Sequence, residues 1–119
     1  MEKKLQDSEL KVMNVLWREG EATAKQIADV LGDEVGWNVN TTYTLIKRCI
    51  EKGAIKRSEP NFLCRPLVKK EDVQRAETDA LIGKLFDGSA DKLFAALLGS
   101  KRLSAEELNK LRDMIDKLG

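Results

Sequence analysis

WNVNTTYTLIKRCIEKGAIKRSEPNFLCRP, residues 37–66, predicts a helix that is followed at once by a basic hairpin. Apolar and small side chains recur there at i, i+3, i+4, i+7 and i+8, the spacing of one buried helix face, and they are Thr42, Leu45, Ile46, Cys49 and Ile50. Asn38 is placed to cap this helix and Gly53 to end it. Two strands, at 54–58 and 62–67, would then enclose the turn at 59–61. The exposed helix face would present amides and hydroxyls where a surface helix usually presents Glu and Lys.

Two further helices are predicted upstream of this stretch. Apolar residues between Leu10 and Trp17 indicate a first helix over 7–18. Thr23 and Gln26 have the spacing of a capping box, which opens a second helix that we expect Gly32 to close, with a loop at 33–36. Helix, short helix, helix and hairpin is the order of a winged helix-turn-helix.

Downstream of residue 70 the pattern is helical throughout. A fourth helix would run to near Gly88, and a short fifth helix would follow. Ser104 and Glu107 form a capping box for a sixth, whose apolar residues recur at intervals of 3, 4 and 3, as in a helix–helix seam. We therefore predict a mainly α fold with a small β wing. Its parts are a winged-helix DNA-binding domain at 1–69 and a helical dimerisation domain at 70–119.

So many leucines are difficult to bury inside a segment of this size, which favours a partner subunit. The alternative is that the three last helices form a small core of their own or fold back on the first helix. The residues that we predict for the dimer interface are Leu81, Leu85, Leu93, Phe94, Leu97, Leu108, Leu111, Ile115 and Leu118.

Positive charge is concentrated in one segment although the whole chain has a net charge of only +1. Residues 37–70 contain eight basic and two acidic side chains, whereas the segments before and after them are net acidic. A local basic patch of this kind is the electrostatic signature of nucleic-acid binding. No apolar run is long enough to cross a bilayer and the first ten residues contain no apolar signal core, so we expect a cytoplasmic protein without membrane insertion.

The third helix and the hairpin together supply the chemistry of DNA recognition. Asparagine pairs with adenine edges and a threonine methyl contacts the thymine methyl, so Asn40, Thr41, Tyr43 and Thr44 are predicted at or near base edges. Cationic side chains hold phosphates, and those predicted to do so are Lys47, Arg48, Lys56, Arg57 and Arg65. The alternative is an ordinary helix whose polar first turn is simply solvated.

Three other classes of protein fit the sequence less well. The chain has no histidine, no glycine-rich phosphate loop and no cluster of metal ligands, so neither an enzyme nor a cofactor or metal site is predicted. A protein-binding adaptor would expose apolar residues on the third helix. A thiol sensor would need reactive cysteines, but Cys49 falls on the buried stripe and the pattern leaves open which way Cys64 faces.

The chain resembles the BlaI/MecI/CopY family of bacterial winged-helix repressors. The resemblance rests on SELKVMNVLWREGEATAKQIADVLG, on WNVNTTYTLIKRCIEKGAI with its wing, and on LFAALLGSKRLSAEELNKLRDMI, so it covers nearly the whole chain. It implies a homodimer that binds double-stranded DNA at an inverted-repeat operator and blocks transcription. A membrane sensor or protease pathway is a further partner that it implies for β-lactam-responsive members.

Two departures from the family bear on induction. The β-lactam repressors are cut at an Asn-Phe pair in the fifth helix, and Ala96 and Leu97 stand at the matching positions. The copper-responsive members carry a C-terminal cysteine cluster, whereas no cysteine follows Cys64 in this chain. The sequence therefore names neither the operator and regulated genes nor the releasing signal, be it proteolysis, ligand or metal.

Overall fold

A computed structural model of the protein describes residues 4–118, and its elements confirm the predicted fold class. Their bounds are α1 Asp7–Glu19, β1 Ala22–Thr23, α2 Ala24–Val35, α3 Val39–Glu51, β2 Ile55–Ser58, β3 Leu63–Pro66, α4 Lys70–Leu85, α5 Ala90–Gly99 and α6 Ala105–Leu118. The predicted domain limits at residues 1 and 119, and the start of the N-terminal segment cited against a signal peptide, lie outside the described residues.

Local hydrogen bonds start three of the helices where the sequence predicts. Thr23 Oγ1 accepts the Gln26 amide at 3.1 Å, and Gln26 Oε1 accepts the Thr23 amide at 2.8 Å. Ser104 and Glu107 exchange the same pair of bonds at the start of α6. At α3, Asn38 Oδ1 accepts the Thr41 amide at 2.8 Å. Each bond satisfies a helix N–H that has no partner within the helix.

The expected end of α2 at Gly32 is wrong. The helix continues through the predicted loop to Val35, and it ends at Gly36, whose φ of 80° is left-handed. The Gly36 amide donates to the carbonyls of Leu31 and Gly32, each at 3.1 Å. Gly36 is the better terminator because this left-handed geometry favours glycine, whereas Gly32 lies within the helix.

The wing belongs to a three-stranded antiparallel sheet of order β1-β3-β2, and β1 was not predicted from the sequence. Ala22 pairs with Cys64 and Thr23 with Leu63, so the central strand β3 connects the hairpin to the residues that begin α2. On its other side, Arg57 lies opposite Cys64 and Lys56 opposite Arg65. The sheet thereby fixes the wing to the helices that it flanks.

Two compact units divide the chain between Val73 and Gln74. The core of the first is formed by α1, α2, α3 and the sheet, with Met13, Leu16, Ile27 and Ile46 fully buried. Trp17 Nε1 donates to the Val68 carbonyl at 3.0 Å, which ties the segment after β3 to α1.

The second unit contains no buried residue between positions 74 and 118. Its larger apolar side chains remain at least partly open to solvent, in contrast to the closed core of the first unit. Within residues 4–118, no helix is both long enough and apolar enough to span a membrane.

Candidate nucleic-acid interface

The polar surface of α3 is exposed as its sequence predicts. The helix buries Thr42, Leu45, Ile46 and Cys49 against the core. Asn40, Thr41, Thr44, Lys47 and Arg48 are exposed, and Tyr43 is half-buried at their edge. The first turn contains no acidic residue, so the positive end of the helix dipole is not neutralised by a carboxylate there. This surface offers neutral hydrogen-bonding groups at its centre and cations toward its end.

A cleft of about 490 Å³ borders this surface, and it includes Ser8 of α1, which was not predicted. All its lining residues belong to the first unit, and they are Ser8, Trp37, Asn38, Asn40, Thr41, Thr44, Leu45 and Arg48. Hydroxyls, amides and one guanidinium converge there with an indole ring. Such a lining suits DNA, since its polar groups can form hydrogen bonds with base edges as well as with phosphate oxygens.

The wing presents three predicted phosphate-binding cations, two of which are paired with carboxylates. Arg57 Nε lies 2.7 Å from Glu59 Oε2, and Arg65 Nε lies 3.3 Å from Glu21 Oε1. All four side chains are about half exposed to solvent, so these pairs add little stability and a phosphate can replace the carboxylate. Lys56 is exposed, and within residues 4–118 it forms no ion pair.

An aromatic contact joins the wing to α3. The Phe62 and Tyr43 rings meet edge to face, with centroids 5.8 Å apart and planes at 88°. The guanidinium carbon of Arg57 lies 3.6 Å from the centroid of the Phe62 ring. Phe62 therefore contacts one residue predicted near a base edge and one predicted on a phosphate.

Both cysteines lie in the core of the first unit. Cys49 and Cys64 are fully buried, and the former donates weakly from Sγ to the Glu9 carbonyl at 3.9 Å. Burial, reinforced by the charge of Glu9, raises the pKa of the Cys49 thiol to about 12. Burial also raises the pKa of Cys64 to about 11 despite the nearby charge of Arg57. Neither thiol is ionised at neutral pH, so neither has the reactivity of a sensor cysteine.

The residues predicted for dimerisation expose an apolar surface in the second unit. Leu81, Leu85, Phe94, Leu108, Ile115 and Leu118 are exposed, while Leu93, Leu97 and Leu111 are half-buried. Met114 of α6 is also exposed, although it was not in the predicted set. Ala96 is exposed and, with Leu97, lies inside the continuous helix α5.

Sequence reasoning missed Ser8, Glu21, Glu59 and Phe62. Glu59 is only two residues after Arg57, in the predicted turn, so an ion pair between these neighbours could have been proposed from the sequence. Ser8 and Glu21 come close to the interface only through tertiary packing. The sequence contains no local signal for either contact.

The family model described as penicillinase repressor matches residues 5–117. The methicillin resistance regulatory protein MecI of Staphylococcus aureus (strain N315) is 29% identical over 95% of this chain and 94% of its own length. The solution structure of the DNA-binding domain of the repressor BlaI superposes with a TM-score of 0.55 at 28% identity, over 60% of this chain and 93% of that one.

A second solved structure is Bacillus licheniformis BlaI in its monomeric form, in complex with the blaP half-operator. It has a TM-score of 0.50 and 29% identity over 60% of this chain and 93% of that one. The matched share corresponds in extent to a winged-helix domain rather than to the whole chain. The chain therefore belongs to the penicillinase repressor family, a family of winged-helix DNA-binding repressors rather than of enzymes.

Proposed function

We propose that this protein is a homodimeric transcriptional repressor that binds an inverted-repeat operator. In this proposal α3 enters the major groove and the wing follows the backbone. The observation that carries it is the neutral, polar surface of α3, which adjoins the wing cations within one unit. The relationship to BlaI, whose monomeric form has been solved in complex with a half-operator, supports DNA binding as the activity.

The two sets of side chains have separate tasks in this proposal. Asn40, Thr41, Tyr43 and Thr44 contact base edges or the groove beside them. The cations Lys47, Arg48, Lys56, Arg57 and Arg65 contact phosphates, which fixes the register without carrying sequence information. The exposure of all these residues except the half-buried Tyr43 supports this division.

Dimerisation supplies the second half-site. We propose that residues 1–69 bind DNA and that residues 70–119 pair with a second copy through the exposed apolar side chains of α4, α5 and α6. A two-fold axis between identical subunits matches the symmetry of an inverted repeat. The absence of any buried side chain from 74 to 118 supports a missing apolar partner.

Repression acts on DNA, so we expect the protein to work in the cytoplasm. We propose that a signal other than cleavage between Ala96 and Leu97 releases it, because Ala-Leu stands here in place of the Asn-Phe pair. A membrane sensor or protease pathway would then have to act elsewhere on the protein.

Selection from randomised duplexes at low ionic strength tests the proposal. We expect the full-length protein to enrich an inverted repeat whose half-sites are about one helical turn, roughly 10 base pairs, apart or a multiple of it. Recovery of no enriched motif would contradict the proposed function. Enrichment of an isolated half-site would support groove reading and contradict the dimer.

Two substitutions then separate base reading from phosphate binding on the selected site. Thr44→Ala should cost about 1–3 kcal/mol of binding free energy and relax discrimination at one operator position. Arg57→Ala should weaken binding to all sequences alike and lower the salt slope by about one unit. Fluorescence anisotropy across a salt series measures both. An unchanged salt slope for Arg57→Ala would mean that this part of the wing does not contact DNA phosphates.

A further inference from the structure

Phe62 connects three parts of the first unit. Its carbonyl accepts the amide of Ala24, the first residue of α2, at 3.0 Å. Its ring meets Tyr43 of α3 edge to face. The same ring contacts the wing, where the Arg57 guanidinium carbon lies 3.6 Å from the ring centroid. One side chain and its carbonyl thus join α2, α3 and β2.

The backbone conformation of Phe62 is unusual for an aromatic residue, and it needs the surrounding contacts to hold it. Its φ of 51° lies in the left-handed region, which is unfavourable for a bulky side chain. The hydrogen bond to Ala24 and the two ring contacts oppose that cost. A glycine or asparagine would adopt this conformation more readily, but neither provides an aromatic ring to contact Arg57 and Tyr43.

Arg57 is held in place although it is exposed. Phe62 covers one face of the guanidinium. Without DNA, Glu59 also accepts a bond from Nε at 2.7 Å, and a phosphate can replace this carboxylate while the ring contact remains. Stacking uses the face of the planar group, so the N–H groups, which lie in its plane, remain able to donate hydrogen bonds. These are the donors that form paired bonds to a phosphate. Holding them in one orientation reduces the side-chain entropy that is lost on binding.

We propose that Phe62 is a positioning residue that sets the Arg57 guanidinium for a phosphate at a fixed distance from the α3 surface. It acts through Arg57 and contacts no DNA itself. The inference rests on the proposed function, and it adds that groove reading and wing binding are coupled through the Tyr43–Phe62–Arg57 contact. Loss of the ring should uncouple the wing while the α3 surface remains intact.

A double-mutant cycle on the selected operator tests whether Phe62 acts through Arg57. Phe62→Leu keeps an apolar side chain and removes the aromatic face, whereas Phe62→Tyr keeps the face and is the matched control. We expect Phe62→Leu to weaken binding by about three- to tenfold and to lower the salt slope toward that of Arg57→Ala. Phe62→Tyr should bind like the parent protein. In the Arg57→Ala background, Phe62→Leu should have little further effect.

Additive losses in the cycle, or an unchanged affinity for Phe62→Leu, would overturn the proposal. Thermal unfolding of each variant verifies that it is folded at the assay temperature. Arg57→Lys provides a test that is independent of the Phe62 variants, because Arg57 is exposed and its replacement leaves the core intact. It keeps the charge but loses the planar group, so we expect most of the Arg57→Ala loss. Parental binding by Arg57→Lys would also overturn the proposal, whereas failure of the parent to select any operator would refute the proposed function instead.

Discussion

Thr42 has a buried hydroxyl without a hydrogen-bond partner among the residues that the structure describes. It lies on the core side of α3 and is fully buried. An unsatisfied buried polar group costs free energy, because it has lost its bonds to water. We expect Thr42→Val, which keeps the side-chain shape and removes the hydroxyl, to raise the free energy of unfolding by about 1–2 kcal/mol.

Thermal and denaturant unfolding measure this effect. Thr44→Val is the matched control on the same helix. Its side chain is exposed, and its effect on stability should stay within about 0.5 kcal/mol. Lower stability of Thr42→Val would mean that the hydroxyl has a partner in solution.

A buried ion pair joins the start of α1 to the end of α3. Lys52 Nζ lies 2.6 Å from Glu9 Oε1 and also donates to the Lys4 carbonyl at 2.9 Å. Burial alone would raise the pKa of Glu9, but the Gln6 amide and the Lys52 ammonium outweigh it and lower that pKa below 4.5. The ionised carboxylate therefore stabilises the fold above pH 4.5. This contribution is lost as the pH falls through the lowered value.

Removing the cation should reveal that pH dependence. We expect Lys52→Met to reduce the free energy of unfolding by about 3 kcal/mol at neutral pH, since it leaves a buried charge unpaired. The deficit should shrink in acid, where protonated Glu9 needs no counter-charge. Denaturant unfolding between pH 3 and 7 measures it. Lys110→Met, which disrupts an exposed pair with Glu106, should change stability by at most about 0.5 kcal/mol.

At the residue scale, periodicity predicted some positions and missed others. The i, i+3, i+4, i+7 spacing correctly predicted Cys49 in the core, because residues at these intervals lie on one face of any α-helix. The burial of Glu9 was not predicted from periodicity, since it depends on an ion pair with Lys52, which is distant in sequence. The ring contacts of Phe62 were hidden for the same reason.

Among the secondary-structure elements, α2 offers a direct test of where its glycines matter. Gly32 lies in the helix interior, where an added Cβ would meet only the Trp37 carbonyl oxygen at 3.6 Å, an ordinary contact distance. Gly36 has a φ of 80° and ends the helix. We expect Gly32→Ala to stabilise the protein by about 0.5–1 kcal/mol.

Gly36→Ala is the matched control, and it should destabilise by about 1–2 kcal/mol because alanine is strained in a left-handed conformation. Thermal unfolding of the pair measures the contrast. Equal effects from the two substitutions would contradict the reassigned end of α2.

The elements predicted most accurately are those fixed by neighbouring residues. The capping boxes at Thr23 and Ser104 and the Asn38 cap depend on residues three positions away, so the sequence displays them. Strand β1 is only Ala22–Thr23 and exists because β3 pairs with it. No local pattern reveals a strand of that length.

On the scale of the whole molecule, the apolar surface of the second unit predicts association. Ile115 is 62% exposed, so aspartate at this position costs the isolated chain little. In the proposed dimer, the aspartate would bury an unpaired charge in the interface. We therefore expect Ile115→Asp to sediment as a monomer and to bind the full operator much more weakly. If the Ile115→Asp variant stayed dimeric, the dimer interface would have to lie elsewhere.

Asn109→Asp is the control for added charge. It lies on the same helix, about 120° around the axis from Ile115 at 100° per residue, and it is exposed. It should stay dimeric. The sequence displayed the apolar seam of α6 because the 3, 4, 3 spacing is local, whereas the identity of its partner depends on a surface outside one chain and stays a prediction.

The carboxylates beside the wing arginines have a consequence for how the repressor searches a chromosome. Glu21 and Glu59 pair with Arg65 and Arg57 in the free protein. In the proposed binding mode, each guanidinium would therefore exchange a carboxylate for a phosphate when the protein binds a duplex. Phosphate contacts on random sequence then contribute little binding free energy. We expect short residence times there and rapid dissociation, which speeds the search for the cognate site. Longer single-molecule residence on non-cognate DNA is the expected signature of Glu21→Gln.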